Sequence, residues 1–218
     1  GYFTEFAEAE GKQNFLNAVQ NYPLLKGTQT NLFKCFLPQA WTFSKESGVA
    51  GFLHPEGVYD APKGGKLRRE LYQRLRYHFQ FQNEFSLFTG TNDHGRMRFG
   101  LNIYGNRKEA INFYNINNLF LPKTVYACFE QSARSKIIGI KDKHDNWNIN
   151  GHPSRIVQVD LEVLKLFSQL YDSEKTPAIE ARLPALHSQN LVSVLKKFAQ
   201  QEKRLGDLEG KYYPTYMF

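Results

Sequence analysis

Between Val49 and Gly105 the hydrophobic period changes from strand to helix and back again, and that order constrains the fold more than any other feature of the sequence. The short apolar run VAGFL follows Gly48 and ends at His54-Pro55, which predicts a buried strand closed by a Pro- and Gly-rich loop running to Gly65. Leu67, Leu71 and Leu75 then recur every four residues, the spacing of a helix with one apolar face. In YHFQFQNEFSLF, Phe79 and Phe81 alternate with His78, Gln80 and Gln82. In MRFGLNIYG, Met97, Phe99, Leu101 and Ile103 alternate with Arg98, Gly100 and Asn102, and the intervening TGTNDHG is turn chemistry. Strand, loop, helix and hairpin in that order predict a mixed α/β fold.

The flanks extend this reading. The first twenty-eight residues, punctuated by Asn14, Asn17, Asn21, Pro23 and Gly27, read as an ordered irregular segment. Phe33, Phe36, Leu37, Ala40 and Trp41 fall on one helical face, with Pro38 predicting a kink or early break. Past Asn106 the composition turns to Asn and aromatic residues, which places a boundary near 107–120 and divides the chain into 1–110 and 111–218, the second part α+β in character. There IIGIK and RIVQV read as strands. Asp160 caps a helix carrying Val163, Leu164, Phe167, Leu170 and Tyr171, and Ser188 opens a last one. Gly1 at the start and the aromatic run Tyr212, Tyr213, Tyr216 and Phe218 at the end predict a piece of a longer polypeptide.

Charge suggests a partner. The formal net charge is +7, and Lys63, Lys66, Arg68, Arg69, Arg74 and Arg76 stand against Glu70 alone within one short stretch. Such a helix either contacts phosphates or is a solvated face whose long stems cover the edge of the core. No apolar run is long enough to span a membrane and no signal peptide opens the chain, so a cytoplasmic protein is expected. Phosphate-loop, dinucleotide, HExxH and GxSxG motifs are absent, the six His are scattered, and Cys35 and Cys128 read as buried reduced thiols, so no metal site is expected. Asp207, Glu209 and Lys211 match a nuclease triplet no better than background.

The segment GVAGFLHPEGVYDAPKGGKLRRELYQRLRYHFQFQNEFSLF, with TNLFKCFLPQAW before it and FGLNIYG after it, resembles the large adenine-specific DNA methyltransferases of restriction-modification and related phage-defence systems. The resemblance continues through GIKD, TPAIEARLPALHS and KRLGDL. It implies the C-terminal half of a class I methyltransferase (Rossmann-like) sheet ending in an antiparallel hairpin over 1–110, then the start of a target-recognition region over 111–218. It also implies Asn31, Phe33, His54, Pro55 and Glu56 as walls of an active site at the strand ends. The six basic residues become contacts to double-stranded DNA. The family's glycine-rich cofactor loop and Asn-Pro-Pro-aromatic motif are nowhere in the sequence. The resemblance therefore implies no catalytic residue here and no tight cofactor binding by this chain. S-adenosylmethionine belongs to the parent enzyme, and the remainder of the same polypeptide is a partner. A non-catalytic DNA-binding or assembly module of a defence complex is the alternative.

Overall fold

In the computed structural model, residues 1–28, 31–88, 97–130, 139–203, 205–208 and 210–211 are described. The expected TGTNDHG turn, part of IIGIK, Glu209 and the terminal aromatic run lie outside them. Five strands form one mixed sheet in the order β1-β3-β2-β4-β5: β1 Ala50–Pro55, β2 Leu75–Gln82, β3 Arg98–Tyr104, β4 Asn112–Leu119 and β5 Val157–Asp160. β3 runs antiparallel to both β1 and β2, and β4 is parallel to β2, so β1, β2 and β4 point the same way. The mixed α/β class and the β2–β3 hairpin pairing are as the hydrophobic periods require. The division expected at 110/111 falls between strands of this single sheet, and the larger core draws on both sides of it.

Several local expectations are corrected. The first segment is a helix, α1 Tyr2–Asn17, because FAEAEGKQ is rich in strong helix formers and Lys12 pairs with Glu8 one turn back. α2, Leu32–Phe43, continues through Pro38: Cys35 and Leu37 before the proline are buried and Trp41 after it packs on the core, which holds the helix across the missing donor. Phe36, placed on the core face by its spacing, is exposed. β1 is an edge strand with alternating exposure, paired on one side only. The loop after it contains a turn of helix, α3 Gly57–Asp60, and the next helix, α4 Gly65–Tyr72, stops short of Leu75, which already belongs to β2. β4, unread in the sequence, is built from the Asn-rich stretch.

The larger core lies on one face of the sheet, where Leu37, Tyr59, Leu67, Leu71 and Tyr72 of α2, α3 and α4 meet Leu75, Tyr104, Phe113 and Val159. α6, Leu161–Tyr171, is capped as expected by Asp160, whose carboxylate accepts from Val163 N at 2.9 Å, and it adds Leu164 and Phe167. α7, Asn190–Ala199, follows Ser188 and contributes Val192. On the other face a smaller cluster of Phe81, Ile116, Leu119 and Cys128 forms under α5, Lys123–Glu130. No described helix is long and apolar enough to cross a membrane.

Candidate functional site

The hairpin buries the side that its sequence makes polar. β2 and β3 are in register at His78–Asn102 and Gln80–Gly100, and β4 brings Asn115 beside His78. His78, Gln80, Asn102 and Asn115 are all buried, whereas Leu101, on the opposite face, is 37% exposed. Gly100 opens a niche in this row: a Cβ there would stand 2.3 Å from Glu56 Oε1. The Glu56 carboxylate occupies the niche, 3.1 Å from His78 Nε2 and accepting from Gln80 Nε2 at 3.0 Å, while His78 Nδ1 lies 2.8 Å from Asn115 Oδ1. Burial works against that carboxylate, but the His78 ring and the hydrogen bonds from His78 and Gln80 outweigh it and hold the Glu56 pKa below the ordinary value.

His54 lies at the end of β1 in the same row. Its Nδ1 is 2.8 Å from the Pro55 carbonyl, which can only accept, so Nδ1 carries the proton and Nε2 accepts from Tyr104 OH at 3.1 Å. Burial lowers its pKa, and the ring is stacked on Phe33 at 5.4 Å. A neutral imidazole with both nitrogens engaged is a rigid wall, unsuited to proton transfer. Tyr59, whose hydroxyl donates to Asn102 Oδ1 at 2.5 Å, closes the row from α3.

In front of this row, at the C-terminal ends of the parallel strands, is a pocket of about 230 Å³. Its walls include His54 and Pro55 of β1, Asn83 just after β2, and Phe88 and Phe99 on the two arms of the hairpin, with Arg98 also lining it. Phe88 and Phe99 meet edge to face at 4.9 Å, and Phe99 is backed by Phe81 at 5.4 Å. The structure thus brings His54 and Pro55 into one cavity and puts Phe33 behind His54. Asn31 instead caps α2, accepting from Phe33 N at 3.4 Å, and Glu56 is enclosed in the niche. Sequence reasoning missed Asn83, Phe88, Phe99 and the buried polar row; a glycine in the middle of an alternating strand was the available signal.

The six basic residues do not form one surface. Arg68 is 1% exposed, and its guanidinium donates to the carbonyls of Glu180 at 2.9 Å, Val58 at 3.3 Å and Ala61 at 2.6 Å. That corrects its expected role as a phosphate contact: it ties α4 to α3 and to the segment before α7. Arg69 pairs with Glu180, and Arg74 pairs with Glu70 and lies over the Trp41 ring at 4.8 Å. Arg76, half-buried at a bulge in β2, donates to the carbonyls of Arg74, Leu75 and Asn106. Lys63 and Lys66, around the start of α4, are exposed. Among the described residues no group of three or more His, Cys, Asp or Glu is placed to hold a metal ion. Cys35 and Cys128 are buried and unpaired.

No family model and no curated protein matches the sequence. Several solved structures are similar to this chain at low identity, type I restriction-modification proteins among them. The M protein of the type I restriction enzyme EcoKI is 16% identical over 87% of this chain and 51% of its own, with a TM-score of 0.40. A structure addressing complex assembly and conformational transition of the type I system is 13% identical over 78% of this chain and 37% of its own, TM-score 0.41. The type I methyltransferase subunit from Streptococcus thermophilus is 15% identical over 48% of this chain and 22% of its own, TM-score 0.37. This chain therefore spans about half of the first and less of the other two.

Proposed function

We propose that this chain is the closing part of the catalytic sheet of an adenine-specific DNA methyltransferase of a restriction-modification or phage-defence system, working in the cytoplasm. The observation that carries the reading is the rim pocket, where the His54-Pro55 end of the segment that resembles this family meets two phenylalanines at the C-terminal ends of parallel strands. At about 230 Å³ it is below the roughly 300 Å³ at which pockets for drug-sized ligands begin, so it suits one planar ring system. A flipped adenine would lie against the Phe88–Phe99 pair, with the His54 wall on its other side and water excluded. S-adenosylmethionine is too large for this volume, and no glycine-rich loop borders it, so the methyl donor and the Asn-Pro-Pro-aromatic motif are assigned to the remainder of the same polypeptide.

That remainder has a place to pack. β1 has a free edge, and Leu53, Leu101 and Tyr114 leave an apolar row bare on the sheet face away from the larger core. Lys63 and Lys66 are the phosphate contacts this reading retains, with residues from 111 onward beginning the recognition region. Transfer of a labelled methyl group to duplex DNA by the whole polypeptide tests it. The expected product carries the label on the adenine exocyclic amine, with activity down at least tenfold in Phe99→Ala. Absence of transfer to any DNA, or transfer unaffected by Phe99→Ala, overturns the reading.

A further inference from the structure

Among the described residues that line the rim pocket, Asn83 is the polar side chain that is buried yet not fully spent. It is 4% exposed and lies in the 3-10 turn Asn83–Phe85 that leaves β2, pinned by its own backbone: Asn83 N donates to Met97 O at 3.0 Å and Ser86 N to Asn83 O at 3.1 Å. Ser86 then takes a left-handed conformation, φ 50°, which turns the chain back so that Phe88 N–H reaches Asn83 Oδ1 at 3.2 Å. A backbone N–H can only donate, so this bond fixes which end of the amide is oxygen. The Nδ2 group is left as a donor without a partner among the described residues, and it is not sealed in as Asn115 Nδ2 is. The other polar walls cannot take its place, because His54 has both ring nitrogens engaged and Arg98 lies exposed at the mouth.

We propose that Asn83 is a specificity-determining residue of this pocket, donating through Nδ2 to a ring nitrogen of a purine held against the Phe88–Phe99 pair. The proposal rests on the reading of the pocket as a base site. It adds the chemistry of the edge that is read: an apolar slot with one fixed donor favours a ring bearing an acceptor at that point and disfavours one bearing C–H there, since the donor would be left bare. The same turn that opens the slot orients its donor.

Equilibrium binding tests this with the whole polypeptide and duplexes of randomised flanks, each carrying one purine opposite an abasic position. Adenine is compared with its 1-deaza, 3-deaza and 7-deaza analogues and with no base. Wild type is expected to bind adenine best and to lose about tenfold on one of the three deaza analogues. Asn83→Asp keeps the acceptor for Phe88 N–H and replaces the donor. It is expected to lose about the same factor on adenine and nothing further on that analogue, whereas Asn83→Leu loses both contacts. If Asn83→Asp retains the wild-type ranking of the analogues, or lowers all of them equally, the role of Asn83 is overturned while the base site stands. If wild type prefers no purine over the abasic duplex, the base site and the Asn83 contact fall together. Purine binding that depends on Asn83 without any methyl transfer would keep this inference and remove the proposed activity.

Discussion

Arg68→Ala separates structural arginine from DNA-binding arginine in this fold. The Arg68 guanidinium is shared among the carbonyls of Glu180, Val58 and Ala61, and Ala61 O also receives Gly64 N–H. Removing the side chain leaves the Val58 and Glu180 carbonyls without the guanidinium donor, at roughly 1–3 kcal/mol each. Relief of the buried charge acts in the other direction, consistent with the downward pull of burial on the Arg68 pKa. A net loss of about 3 kcal/mol is expected, and at roughly 2–4 °C per kcal/mol for a chain of this size the melting midpoint falls by about 10 °C. Thermal unfolding followed by circular dichroism measures it. Lys66→Ala is the counterpart: this exposed side chain should leave the midpoint unchanged and make the salt dependence of DNA binding by the whole polypeptide shallower by about one unit. An Arg68→Ala protein that melts within about 2 °C of wild type but shows the shallower salt slope refutes the reasoning.

Gly100→Ala should drive the Glu56 carboxylate from its niche, stranding the His78 and Gln80 donors at a cost of about 2–4 kcal/mol; Glu56→Ala, which strands the same donors, should add little further loss when introduced alongside, read as non-additivity in urea unfolding. Acid sensitivity should have two limbs. The folded His54 pKa lies below its unfolded 6.5, so the unfolded chain binds more protons as the pH falls from 6.5, and stability declines through that window. The Glu56 pKa lies below its unfolded 4.5, so its contribution is complete above pH 4.5 and is lost as the pH falls through the folded value. In urea midpoints measured against pH, His54→Phe should remove the upper limb and Glu56→Gln the lower. Arg155→Ala should cost about 3 kcal/mol and expose the segment 139–155 to limited proteolysis, because the fully buried Arg155 guanidinium holds the carbonyls of Asn117, Asn118 and Asn150 together.

What was legible in the sequence follows from what periodicity encodes. Leu67 and Leu71, the β2–β3 alternation and the Asp160 cap each leave a local signature, and each element formed there. Periodicity does not say which half of an alternating strand faces the core. Here the half bearing His78, Gln80, Asn102 and Asn115 is the interior one, because Glu56 and Tyr59, on the segment that follows β1, reach it and hydrogen-bond to it. Such partners are set by tertiary register. The basic helix misled for a related reason: four-residue spacing placed Arg68 off the leucine stripe, yet α4 is only eight residues long and is covered from a second side by the segment around Glu180, whose carbonyl claims the guanidinium.

The candidate site combines both kinds of information. His54-Pro55 was identifiable as a segment, since a strand ending in a proline loop can be read along the chain. Its function as a wall depends on Phe33, Tyr104 and the Pro55 carbonyl fixing the ring, none of them readable as a motif. The opposite wall is made by the turn after β2, where a left-handed Ser86 folds Phe88 back onto Phe99. A buried polar row behind and a folded-back aromatic turn in front constrain the pocket from two independent directions. Substitutions in the row, such as Gly100→Ala, should therefore change stability and pocket shape together, whereas substitutions at Phe88 should change ligand binding with little effect on folding, since that side chain is 42% exposed.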